Sequence, residues 1–212
     1  MVFLVFDGID GSGKSTHAKE VAKWLKNEGY RVKLVEFNRY LFVDKLAIKI
    51  RGQRITKETI SGEYLPKLDV LRVLRPWLSL IDNMLFLLLS YIDVLKGHVV
   101  IYDRYIWSTF IKYEALGYPV KLIKKVVMFM RPNYGILLDI PVSTSIKRIN
   151  ERKYHLPYPT HVLLKERIEY LKIARRLGYP IIDTSINSKD KVQCLIRKIV
   201  RRILTSRIKQ RF

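Results

Sequence analysis

At 212 residues, with 49% hydrophobic composition, the chain is sized for one domain with a sizeable core. A single cysteine, Cys194, excludes an intrachain disulfide and any cysteine-rich zinc site, and is expected in the core. The net charge of +21, from 40 Lys and Arg against 19 Asp and Glu, attracts anions, but nucleotides and nucleic acid answer to it equally.

The chain opens on Val2-Phe3-Leu4-Val5-Phe6, a predicted first strand. Directly after it, Gly8-Ile9-Asp10-Gly11-Ser12-Gly13-Lys14-Ser15 fits the pattern G-x-x-x-x-G-K-[ST]. Glycines at 8, 11 and 13 let the backbone curl at a helix start, so that successive N–H groups face one phosphate-sized concavity. Lys14 is placed to reach β- and γ-phosphates, and the Ser15 hydroxyl to ligate Mg2+. The following helix sets Ala18, Val21, Ala22 and Leu25 on one face and is capped near Gly29.

A second strand is predicted over Arg31 to Phe37, then a long, mostly helical stretch with breaks at Gly52, Ser61-Gly62, Pro66 and Pro76. Within it, Trp77 to Leu95 is long enough to raise a membrane question, but it carries Asp82, Asn83 and Asp93. A carboxylate at the bilayer centre costs about 2.5–3.5 kcal/mol even on insertion scales, so the expectation is a buried helix of a soluble protein. No secretory leader precedes the first strand, which favours the cytoplasm.

The third strand, His98 to Tyr102, runs into Asp103-Arg104-Tyr105. A fourth covers Tyr134 to Ile140 and a short fifth begins at Pro180 and ends at Asp183. A last amphipathic helix sets Val192, Leu195, Ile196, Ile199, Val200 and Ile203 on one face, with basic residues interleaved as far as Arg211. The alternation predicts an α/β fold with a parallel sheet, whose ligands gather at the carboxyl ends of the strands. There Asp103 suits magnesium or its water, and the planar fork of Arg104 a phosphoryl oxygen. The histidines, His17, His98, His155 and His161, lack ligand spacing and read as structural or solvated.

Together these residues resemble the thymidylate kinases, a family of P-loop nucleoside monophosphate kinases. Phe6-Asp7-Gly8-Ile9-Asp10-Gly11-Ser12-Gly13-Lys14-Ser15-Thr16 is similar to the family's F-E-G-x-D-G-x-G-K-[ST]-T, with Asp7 where Glu is usual. Asp103, Arg104, Tyr105 and Ser108 match D-R-[YH]-x-x-S, and Leu138, Asp139 and Pro141 match L-D-x-P. Phe37-Asn38-Arg39-Tyr40 resembles F-P-R-Y, and Arg148 to Arg152 the arginine-bearing entry to a lid. Tyr170-Leu171 and Ile181-Ile182-Asp183 resemble the segments that follow.

The resemblance implies a three-layer P-loop NTPase fold with a five-stranded parallel sheet flanked by helices. It implies one kinase domain over 1–212, with an acceptor-binding helical region over 38–96 and a lid over 148–165. ATP is the implied donor, dTMP the acceptor, Mg2+ the metal and a homodimer the assembly. By resemblance, residues 8–16 hold the donor with Arg148 and Arg152, Ser15 and Asp103 the metal, and Lys14, Asp10, Asp103 and Arg104 act in catalysis. Asp10 meets the sugar 3′-hydroxyl or its surrounding water and metal, while Arg104 and Arg39 hold the acceptor phosphate. Asn83, Ser108, Lys112 and Tyr113 complete the acceptor site.

Departures concern base and sugar. The family's F-x-A-[DN]-R, whose Phe stacks on thymine and whose Arg reaches its carbonyl, is met here by Ser79 and Asn83, with only Asp82 kept. Ile111-Lys112-Tyr113 stands where a ring often excludes a ribose 2′-hydroxyl. Trp77, Tyr105, Trp107 and Tyr113 are the aromatics near enough in sequence to replace the stacking ring. Two other readings stay open: a kinase of this fold with another nucleotide or nucleoside acceptor, and a nucleotide-regulated polyanion-binding protein without transfer activity.

Overall fold

The computed structural model describes residues 2–36, 69–152 and 159–209. Five strands, β1 (Val2–Asp7), β2 (Val32–Glu36), β3 (Val99–Asp103), β4 (Tyr134–Asp139) and β5 (Ile181–Asp183), form one sheet in the order β2-β3-β1-β4-β5. Every pairing is parallel. β1 and β3 are buried along their whole length, which is why they read as unbroken apolar runs rather than as alternations.

The two-residue period of β1 nevertheless sorts its side chains. Phe3 and Val5 join Tyr102, Trp107, Phe110 and Leu163 on one face, while Leu4 and Phe6 join Leu25, Ile136, Ile196 and Val200 on the other. The described helices are α1 (Lys14–Asn27), α2 (Asp69–Leu95), α3 (Ile106–Ala115), α4 (Lys121–Val127), α5 (Val142–Glu151), α6 (Thr160–Leu177) and α7 (Lys189–Lys209). Helices α1 and α7 cover the second face, and α3 and α6 the first. This is the three-layer fold of the P-loop NTPases.

Three expectations need correction. Helix α2 does not break at Pro76 but runs through it. A mid-helix proline leaves the carbonyl four residues earlier without its donor, at Arg72. The same turn is anchored from outside, Arg72 donating to the Gly117 carbonyl at 3.1 Å and Arg75 to the Tyr118 hydroxyl at 3.1 Å. Nor is α2 a buried helix: Leu74, Trp77, Ile81, Met84, Leu88, Tyr91 and Leu95 are all exposed, whereas Ser79, Asp82, Asn83 and Ser90 are buried. Its outward face is apolar, the reverse of a surface helix, while Val94, Leu80, Phe86 and Leu87 pack inward beside the buried polar groups. Cys194 is likewise exposed, on the outer face of α7.

Candidate active site

β1 and β3 lie side by side with Phe6 opposite Asp103, so the loop after β1 and the turn after β3 emerge together. The loop needs its glycines. Gly8 has φ 143°, and a Cβ there would stand 2.2 Å from the Leu138 carbonyl oxygen. The loop is then fixed from outside: Ser145 Oγ donates to the Asp10 carbonyl at 2.6 Å, Arg148 to the Gly11 carbonyl at 3.3 Å, and Thr184 Oγ1 to the Ser12 carbonyl at 3.1 Å. Arg148 also donates to the Thr184 carbonyl at 2.6 Å, which ties α5 to the end of β5 beneath the loop. Arg152 is exposed at the end of α5.

Lys14 is buried, and its Nζ donates to the carbonyl of Ile9 at 2.6 Å and to Ser12 Oγ at 3.4 Å. Burial pushes its ammonium down to about 7; Arg104 adds to the shift, and Asp10, Asp103 and Asp7 oppose it. An ammonium so placed gains a great deal from phosphate oxygens. Ile9 and Ser12 are buried, while Ser15 and Thr16 open α1 with exposed side chains.

At the end of β3, Asp103 is buried and its Oδ1 has no hydrogen-bond partner. Arg104 follows with φ 75°, its N–H donating to the Phe6 carbonyl at 2.9 Å. Its guanidinium makes an ion pair with Asp10 Oδ1 and donates to the Gly8 carbonyl at 3.4 Å and to the Tyr170 hydroxyl at 3.3 Å. Burial opposes its charge, but Asp10, Tyr170 and Glu166 more than offset that, so the guanidinium stays charged. Lys112, one helix on, places Nζ 3.5 Å from the other oxygen of Asp10 and 3.7 Å from Glu166 Oε1. Two cations thus converge on the single carboxylate of Asp10.

Asp7 stands just behind. Its carboxylate accepts from Trp107 Nε1 at 2.7 Å, from Ser108 Oγ at 2.9 Å and from the Tyr105 N–H at 3.2 Å. Burial raises its pKa, and these three donors work against the rise. The bonds clamp the start of α3 to the end of β1 and hold Ser108 buried within the fold.

On the acceptor side, Asn83 Nδ2 donates back to the Ser79 carbonyl at 2.6 Å, and Ser79 Oγ shares a 2.8 Å hydrogen bond with the Tyr113 hydroxyl. Tyr105, Trp107 and Tyr113 are buried and Trp77 is exposed. His17 is buried with Nδ1 2.8 Å from Gln193 Oε1, a structural role. Arg39 and His155 lie outside the described residues, as do 38–68 of the helical region and 153–158 of the lid.

Glu166 is the residue the sequence reading missed. Only 1% exposed, it has neither carboxylate oxygen hydrogen-bonded, and burial raises its pKa against the pull of Lys112. Its one sequence signal is weak: Glu166 and Tyr170 are four apart on α6, hence on one face.

The thymidylate kinase family model matches residues 6–60 and 78–196. Among curated proteins, the "Probable thymidylate kinase" of Thermococcus gammatolerans is 31% identical, with 94% of each chain covered. That of Pyrococcus abyssi is 32% identical, with 90% of this chain and 91% of its own covered. That of Sulfurisphaera tokodaii is 31% identical, with 98% of this chain and 97% of its own covered. The family model spans more than half of the chain, the phosphate loop from residue 8 and the Asp103-Arg104 turn included, and the chain belongs to the thymidylate kinase family.

Proposed function

We propose that the chain transfers the γ-phosphoryl group of ATP to dTMP, giving dTDP and ADP, in the cytoplasm and with Mg2+. The observation that carries this reading is the convergence of Arg104 and Lys112 on Asp10, beside the buried Lys14, where β1 and β3 end. The relatives' names favour dTMP over other acceptors and favour transfer over nucleotide-regulated binding alone.

The donor phosphates lie along residues 8–16, where Lys14 exchanges the Ile9 carbonyl for phosphate oxygens. Arg104 takes the acceptor phosphate, with Arg39 as a second guanidinium, and releases Asp10 toward the sugar. The acceptor phosphate is already an anionic nucleophile, so no histidine base is required; positioning and charge stabilisation do the work. Arg148 fixes the loop, and Arg152 is free to approach the transferring group.

The donor set fits Mg2+: the orphaned Oδ1 of Asp103 and the exposed hydroxyl of Ser15 flank the loop. No group of three or more His, Cys, Asp or Glu that could hold a metal occurs among the described residues; in sites that bind Mg2+ with nucleotides, phosphates and water supply most ligands. When bound, Mg2+ neutralises charge on the donor phosphates.

Asn83 donates back to the Ser79 carbonyl on its own helix and Ser79 Oγ pairs with the Tyr113 hydroxyl, so neither replaces the family's stacking ring. Selectivity is therefore looser than a stacked thymine site would give. The test is steady-state transfer to dTMP, dUMP, UMP, dCMP, dGMP and dAMP at one salt concentration. dTMP should lead, with UMP also used; strict exclusion of UMP defeats the argument from Ser79, Asn83 and Lys112, and no transfer to any acceptor defeats the kinase reading.

The partner of α2 is a second copy of the chain. Leu74, Trp77, Ile81, Met84, Leu88, Tyr91 and Leu95 are spaced alternately three and four apart, the seam of a helix that packs on another helix. By length and composition, Arg72–Leu95 is also long and apolar enough to cross a membrane. Lipid, however, asks for no such period, and the opposite face binds Asp82, Asn83 and Ser79 into the domain.

A further inference from the structure

Glu166 is a buried carboxylate with two empty acceptor oxygens, an arrangement that costs free energy unless a charge or donor offsets it. Lys112, at 3.7 Å, is the cation within ion-pair reach of it among the described residues. Arg104 and Lys14 act on Glu166 from farther off, and Asp10 and Tyr170 are the other ionisable groups facing it.

Lys112 is not committed to Glu166. Its Nζ is as close to Asp10, whose two oxygens lie between Lys112 and Arg104. A carboxylate bridging two cations occupies the place that two oxygens of a phosphate take when bound by the same pair. An acceptor phosphate that displaces Asp10 from Arg104 therefore arrives within reach of Lys112.

We propose that Lys112 and Glu166 make the acceptor site a proton-coupled phosphate reader: the phosphate draws Lys112 away, and Glu166, deprived of its close cation, takes up one proton from solvent. Lys112 keeps its charge throughout, so the bound complex gains the phosphate dianion and one proton, carried as Glu166 COOH. The unphosphorylated nucleoside draws nothing from Lys112 and triggers no uptake. This rests on the acceptor reading proposed above.

The experiment is calorimetric titration of the intact protein with dTMP and with thymidine, without ATP. It is run in two buffers of different ionisation enthalpy at several pH values between about 7.5 and about 9, above the second ionisation of the dTMP phosphate, at about 6. The parent should take up as much as one proton per dTMP and none with thymidine. Where uptake is complete, dTMP affinity should fall about tenfold per pH unit. Glu166→Gln, which mimics the protonated acid at the same size, should bind dTMP without that uptake and with a flat profile. Lys112→Met should bind dTMP more weakly, also without uptake, because its Glu166 is already neutral. Uptake that persists in Glu166→Gln, or is absent from the parent, overturns the inference and leaves the kinase reading standing. No dTMP binding by the parent removes both.

Discussion

Lys14 sits where a charge is costly until phosphate arrives, and two outcomes follow. Lys14→Ala should lower turnover a hundredfold or more, since loss of one preorganised charge at such a site costs on the order of 3–4 kcal/mol. The circular dichroism spectrum should be unchanged; transfer within a few-fold of the parent would refute the assignment. The second outcome concerns stability. The ammonium is held near 7 in the folded chain but titrates near its ordinary value, about 10.4, when unfolded, so between these pH values the unfolded state binds more protons. Stability must then rise with pH across that window, relative to Lys14→Met, and saturating ATP should flatten the difference. Arg104 is proposed to hold the other substrate. Arg104→Ala should raise KM for the acceptor while ATP affinity, measured without acceptor, barely moves. Its backbone adds a separate effect: at φ 75° glycine is the relaxed residue, so Arg104→Gly should be more stable to denaturant than Arg104→Ala, by about 1 kcal/mol.

Among the elements, α2 carries the test. Ile81→Asp with Leu88→Lys should convert a dimer into a monomer in sedimentation, at unchanged helix content, because neither side chain is buried in the protomer. A parent that sediments as a monomer would refute the seam. The same helix shows where the sequence was legible. The phosphate loop, the five strands and the amphipathic α1 and α7 depend on local patterns of glycine and apolar residues, which sequence displays directly. In α2 the period was visible but not its direction. An apolar stripe looks the same whether it faces the sheet or points away from it, and only the burial of Ser79, Asp82, Asn83 and Ser90 decides its direction. Glu166 was illegible for another reason: its role comes from a contact with Lys112 across two helices, which no local motif on α6 encodes. Asp7 could be matched to the family's Glu, yet its three donors from the start of α3 appear only in the fold.

For the whole molecule, the charge of +21 surrounds a site whose two substrates are both anions. Steering should make kcat/KM for the acceptor fall with added salt over the range where the Debye length shrinks below about 10 Å, while kcat stays level. Equal losses in both would instead place the salt effect in the chemical step. The outward seam of α2 has a further consequence, in mass action. If two copies must meet to cover Trp77, Leu88 and Leu95, the folded state is favoured by the concentration of its own kind. The melting temperature should then climb as the protein is concentrated, and dilution alone should loosen a chain whose own core has not changed.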